Sequence, residues 1–109
     1  MNELIEFEIS SAPAGASSYE VRIAGELDLY TAPDVRQQFA GMPPETDRVV
    51  VDLRELSFVD SAGIASLLAV ARDLASRGGA MTLLVRDAGI LRVLEVTGLD
   101  RYFEIRVDL

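Results

Sequence analysis

Three side chains in this sequence are placed to do chemistry: Ser61, which follows Asp60 at the head of an apolar helical pattern, and Asp28, which closes an apolar strand pattern. A serine at a helix start is a cap, and its hydroxyl stands where unpaired N–H groups and the positive end of the helix dipole would receive a phosphate. Asp60-Ser61-Ala62-Gly63 reads in two ways by spacing alone. It is a cap followed by small residues that let the helix pack closely, or it is a phosphate acceptor around which Gly63 keeps the surface open to an incoming enzyme. Gly25-Glu26-Leu27-Asp28 is either a strand end and a turn or a second part of the same site, with Asp28 facing the same end of the sheet as Ser61. Arg86 and Arg92 read as solvated charges at helix ends.

Composition removes most other uses of that serine. The chain has no cysteine, histidine or lysine, and all 10 basic residues are arginine. Disulfides, thiolate nucleophiles, imidazole bases, the usual zinc sites, Schiff bases and a phosphate-loop lysine are therefore excluded, and with them a serine-histidine-acid triad. Carboxylates and hydroxyls remain. With 18 acidic residues against 10 basic ones, the formal charge of −8 repels phosphate backbones and anionic lipid surfaces. The longest weakly polar stretch, Ala62 to Ala71, is far shorter than the ~20 residues of a membrane span. The first residues lack the basic start and apolar run of a secretion signal, so a cytoplasmic protein is expected. Half the residues are hydrophobic in 109, which predicts one folded domain over 1–109 that buries roughly two-thirds of its unfolded surface.

The elements that would position these residues are legible from periodicity. Ile5, Phe7 and Ile9 alternate with glutamates as a first strand, Ser10 to Ser18 reads as a loop, and Tyr19, Val21 and Ile23 form a second strand ended by Gly25. The two are expected to pair as an antiparallel hairpin. Thr31 then caps a short helix to about Ala40, with Pro33 and Asp34 in its first turn and Gly41 and Pro43-Pro44 as its stop. Val49-Val50-Val51 has the signature of a strand buried on both faces. Ile64, Leu67, Leu68, Ala71 and Leu74 recur at helical spacing until Gly78-Gly79, and Met81 to Val85 is a further apolar strand. Asp87 caps a helix carrying Ile90, Leu91 and Leu94, which Gly98-Leu99 stops in Schellman fashion. Phe103, Ile105, Val107 and Leu109 alternate as a last strand. This order predicts an α/β domain with right-handed crossovers between parallel strands, whose interactive surface lies at the carboxyl ends of the strands, where Asp60-Ser61 falls.

Together the spaced motifs Gly25-Glu-Leu-Asp28 with Thr31-Ala32, Val51-Asp52-Leu53, Asp60-Ser61-Ala-Gly63 and Leu94-Glu95-Val-Thr97-Gly98-Leu99 resemble the STAS domain of bacterial anti-sigma factor antagonists. The resemblance covers almost the whole chain in the right order. It implies a mixed sheet of four to five strands with helices packed mainly on one face. Family members usually continue past the last strand into a further helix, and the sequence stops at Leu109, so the final helix is expected to be missing and the last strand thinly covered.

The resemblance also implies partner switching. The unmodified antagonist binds an anti-sigma factor serine kinase and frees a sigma factor; the kinase phosphorylates the position of Ser61, and a PP2C-type phosphatase reverses it. Asp28 and Asp60 match positions associated with kinase binding and phosphorylation, and ATP and Mg belong to the kinase, so the chain itself needs no cofactor or metal. Two competing readings are a STAS scaffold subunit of a transporter or stress-sensing complex, with Ser61 structural, and a small nucleotide-binding enzyme using Asp28 and Asp60. The missing histidine, lysine and glycine-rich phosphate loop argue against the enzyme.

Overall fold

Alternation between Tyr19 and Ile23 does what it predicts: Val21 and Ile23 are fully buried, while Glu20 and Arg22 are exposed. The structure is a computed structural model describing residues 7–98 and 101–107. Its elements run β1 (Glu8–Pro13), β2 (Ser18–Leu27), α1 (Ala32–Ala40), β3 (Arg48–Asp52), β4 (Leu56–Val59), α2 (Ser61–Ser76), β5 (Ala80–Val85), α3 (Ala88–Val96) and β6 (Glu104–Val107). The sheet order is β1-β2-β3-β5-β6, with β4 pairing β2 beside β3. The hairpin of β1 and β2 is antiparallel as expected, and every other pairing is parallel.

Register explains why one face is covered. Val21, Val51 and Leu83 stand side by side on three strands and are wholly buried. One residue earlier, on the opposite face, Glu20, Val50, Thr82 and Glu104 align and are exposed or half-buried. Helices therefore have one apolar face to cover. α2 presents Leu67, Ala71 and Leu74 to it at helical spacing, and α1 adds Val35 and Phe39. Burying each of these leucines stabilises the fold by roughly 1.5–3 kcal/mol relative to exposure.

Several expectations are corrected. Ser10 to Ser18 is not all loop: β1 runs to Pro13, which an edge strand tolerates because its missing N–H faces outward. Gly25 does not end β2. It takes φ 92° at a register shift, and the strand continues to Leu27. That extension pairs with β4, a strand the periodicity did not show, which brings the sheet to six strands. Val49-Val50-Val51 is not buried on both faces, since Val50 is only half-buried on the open side; β-branched residues suit such a half-covered surface equally well. Asp87 caps α3 and Gly98 follows it with φ 72°, as expected. Ile5, Leu99 and Leu109 lie outside the described residues. Val107 is 49% exposed at the end of β6, so that strand is thinly covered.

Candidate functional site

The strands β2, β3, β4 and β5 are each followed within two residues by, or end on, an aspartate, and each of these carboxylates accepts a backbone N–H two or three residues further on. Asp28 Oδ1 accepts from Tyr30 and Thr31 at 2.9 and 3.1 Å, Asp52 Oδ1 from Arg54 at 3.0 Å, and Asp87 Oδ1 from Gly89 and Ile90 at 2.8 and 3.0 Å. Asp60 Oδ1 accepts from Gly63 at 2.9 Å and so caps α2. An extended chain leaving a sheet has free amides at its next turn, and a short carboxylate side chain is the nearest acceptor.

Asp60 alone among the four also uses its second oxygen across the fold. Oδ2 accepts the Leu29 N–H at 3.1 Å, and the Asp60 N–H donates to the Leu27 carbonyl at 3.1 Å. The loop leaving β2 and the loop entering α2 are thereby tied together, which puts Asp28, Asp60 and Ser61 at one end of the sheet, as expected. Ser61 is exposed and is the first residue of α2. The cap itself is Asp60, not Ser61, so the serine hydroxyl is not committed to the helix end.

Two further residues shape these loops, the first as the close-packing reading of Asp60-Ser61-Ala62-Gly63 expects and the second not. Gly63 is buried, and a Cβ there would stand 2.5 Å from the Leu27 carbonyl oxygen and 2.7 Å from Leu27 Cγ. Gly63 therefore lets α2 start hard against the end of β2. Thr31 precedes α1 but makes no side-chain cap; its Oγ1 turns back, accepting from the Asp28 N–H at 2.8 Å and donating to the Glu26 carbonyl at 2.9 Å.

Charge around the site is acidic. The Arg54 guanidinium, at 2.9 and 2.8 Å from Asp52, holds that carboxyl below the usual carboxylate range against the opposing effect of burial, with the Arg54 N–H and the charge of Arg22 assisting. Arg86 pairs with Glu55 at 3.7 Å where both are exposed, and Arg92 is exposed on α3, in keeping with solvated charges. Among the described residues no group of three or more aspartates or glutamates is arranged to hold a metal ion, and no helix is long and apolar enough to cross a membrane.

Periodicity missed Leu29, Tyr30 and Phe58, which are 65%, 87% and 47% exposed beside these loops. The signal was available: Leu29-Tyr30 places two bulky apolar residues in a turn, between Asp28 and Thr31, where solvent-facing polar residues are the norm.

With this geometry, the comparisons with known proteins agree. The chain belongs to the STAS-domain family: the family model described as "Mlab, STAS domain" matches residues 11–107. The chain is 31% identical over 88 residues to the anti-sigma-B factor antagonist of Listeria monocytogenes, spanning 80% of this chain and 77% of that one. Among solved structures, an anti-sigma factor antagonist from Mycobacterium paratuberculosis superposes with a TM-score of 0.79 at 25% identity, covering 92% of this chain and 85% of the other. The Bacillus cell fate determinant SpoIIAA in its phosphorylated form superposes with a TM-score of 0.70 at 22% identity, covering 95% and 92%. The α/β fold with a mixed sheet and helices mainly on one face is that of these relatives.

Proposed function

We propose that this protein is an anti-sigma factor antagonist whose partner is an anti-sigma factor serine kinase and whose switch is phosphorylation of Ser61. The carrying observation is an exposed, uncommitted serine hydroxyl at the start of α2, flanked by Asp60 and facing the same end of the sheet as Asp28. The names of the relatives support the antagonist role, and a solved phosphorylated form of SpoIIAA supports a phosphoprotein. In the unmodified state the kinase binds this end and releases its sigma factor. The kinase, which binds ATP and Mg, transfers the γ-phosphoryl group of ATP to Ser61 Oγ with loss of the hydroxyl proton and release of ADP, and a PP2C-type phosphatase hydrolyses the ester with water to return the serine and inorganic phosphate.

The switch follows from charge. Phosphorylation adds about −1.5 to −2 charges next to Asp60 on a domain already at −8. A complex packed on this loop must desolvate that group or find cations for it, and a loss of about 3 kcal/mol weakens binding more than 100-fold.

The test is incubation with each anti-sigma factor kinase of the host and ATP, read by intact mass. Addition of one phosphate to the wild type and none to Ser61→Ala, with Ser61→Ala still binding the kinase, is the expected result. An unmodified wild type, where a control antagonist is modified, overturns the reading. A second reading, a non-switching STAS subunit of a transporter or stress-sensing assembly, is supported only by fold, through the likeness to a sulfate transporter family protein from Wolinella succinogenes with a TM-score of 0.73 at 13% identity, covering 86% of this chain and 79% of the other. It expects Ser61→Asp to bind its partner as the wild type does.

A further inference from the structure

A cavity of about 540 Å³ opens between α1 and α2, walled on a third side by the turn that links α1 to β3. It borders the later turns of α2, from Ser66 to Arg77, and not the helix start at Ser61. Arg77 holds the wall in place: its Nη1 donates to the Pro44 and Thr46 carbonyls at 3.2 and 2.9 Å, and its Nε and Nη2 donate to Asp73 Oδ2 at 3.3 and 3.1 Å. The turn is closed again by the Thr46 N–H on the Pro43 carbonyl at 3.0 Å. Apolar side chains line the cavity from all three directions, Phe39 from α1, Met42 and Pro43 from the turn, and Val70 and Leu74 from α2.

Two polar groups on this lining are left over. Thr46 is only 2% exposed, and its hydroxyl makes no hydrogen bond among the described residues. A buried hydroxyl without a partner is rare in a folded protein and calls for one from outside the chain. Arg36, exposed on α1, makes no ion pair or hydrogen bond among the described residues. The other polar lining groups are committed: Ser66 Oγ donates to the Gly63 carbonyl at 2.6 Å, and Asp73 is neutralised by Arg77. The charge the cavity offers is therefore positive, in a chain whose formal charge of −8 repels anions elsewhere. Its volume lies within the roughly 300–1,000 Å³ of small-molecule sites, which are mostly apolar with a few placed polar groups.

We propose that this cavity binds a small amphiphilic carboxylate of the hydroxy-fatty-acid class. Its carboxylate meets the Arg36 guanidinium, its chain lies among Phe39, Met42, Val70 and Leu74, and a second oxygen pairs with the Thr46 hydroxyl. The site is separate from Ser61 and does not rest on the antagonist reading.

The experiment is calorimetric titration of the 109-residue chain with 10-hydroxydecanoate and 12-hydroxydodecanoate, and with decanoate and dodecanoate as chains lacking the second oxygen, all below their micellar concentrations. At least one hydroxy acid is expected to bind with Kd on the order of 50 µM. Arg36→Gln should weaken hydroxy and plain acids alike by roughly ten-fold. Thr46→Val, which keeps the side-chain shape, should weaken the hydroxy acid about five-fold and leave the plain acid unchanged. Ala69→Phe, which fills the cavity from an exposed position of α2, should abolish binding of both. No binding by any of the four acids overturns the proposal, as does binding that survives Ala69→Phe or ignores Arg36→Gln. A Thr46→Val variant that loses equally for both kinds of acid, or for neither, overturns the pairing with the second oxygen and with it the ligand class. A dimer in sedimentation that Ala69→Phe dissociates, with no acid bound, assigns the cavity to a second copy of the chain and overturns the small-molecule site.

Discussion

The starts of α2 and α3 are built from nearly the same parts and do different things. Each helix follows a strand, opens on an aspartate cap and has a glycine in its first turn, Asp60 with Gly63 and Asp87 with Gly89. At α3 both cap bonds are local, and position 88 is alanine. At α2 one oxygen caps the helix while the other holds the Leu29 N–H of a distant loop, the glycine is pressed against Leu27, and the first helical residue is an exposed serine. A cap is an ordinary stabilising device; a cap that also ties down a neighbouring loop converts the helix start into part of a presented surface. α3 thus serves as an internal control for whatever is assigned to α2.

The comparison breaks most decisively at the residue after the cap. If the proposed kinase is the partner, Ser61→Asp is expected to lower affinity for it more than 100-fold, and Ala88→Asp to leave it within about two-fold, by calorimetric titration. Equal affinities would make the two helix starts functionally alike.

The glycines give the next largest difference, now in stability. Gly63→Ala should cost about 2–3 kcal/mol in denaturant unfolding, because the new methyl meets the Leu27 carbonyl. Gly89→Ala should change stability by less than about 1 kcal/mol, since its Cβ meets one side-chain oxygen, Asp87 Oδ1 at 3.0 Å, and no backbone atom.

The caps sharpen it further. Asp87→Ala should cost about 1 kcal/mol and Asp60→Ala about 2, the excess reflecting the loss of the acceptor for Leu29. Hydrogen exchange reads that excess directly: the Leu29 amide should exchange faster in Asp60→Ala and be unchanged in Asp87→Ala.

The smallest effect concerns Asp52, which ends its strand on an arginine instead of a helix. Its carboxyl is held below the ordinary range, so the charged form is favoured in the folded state and its stabilisation is present above the unfolded value of about 3.9. That stabilisation is lost as pH falls through the folded value. Asp52→Asn should therefore be less stable than wild type by about 1 kcal/mol near neutrality, discounted because Arg54 is one-third exposed, and the gap should close in acid. A gap independent of pH would show that packing, not charge, sets the cost.

Much of this was legible in the sequence. Period-two alternation marked β2, helical spacing marked α2, and Asp87 marked the start of α3, because each depends on residues within one turn or one pleat of each other. β4 was hidden because Leu56-Ser-Phe-Val is too short for alternation to rise above a loop, and it is a strand only where β2 bends past Gly25 to meet it. The order of strand, loop and helix placed Asp28, Asp60 and Ser61 at one end of the sheet, and the family match over residues 11–107 spans all three.

The sequence by itself determined the elements other than β4, the acidic charge and a serine following an aspartate at a helix start. Only the tertiary structure decided that Asp60 is the cap and Ser61 is left free, that Gly63 is pinned against Leu27, and that Leu29 and Tyr30 stand in water on a loop with no spare amide. The reason is distance along the chain. Local hydrogen bonds and periodic burial are written in neighbouring residues, whereas the bond from Leu29 to Asp60 spans 31 positions and exists only once β2 and β4 lie side by side.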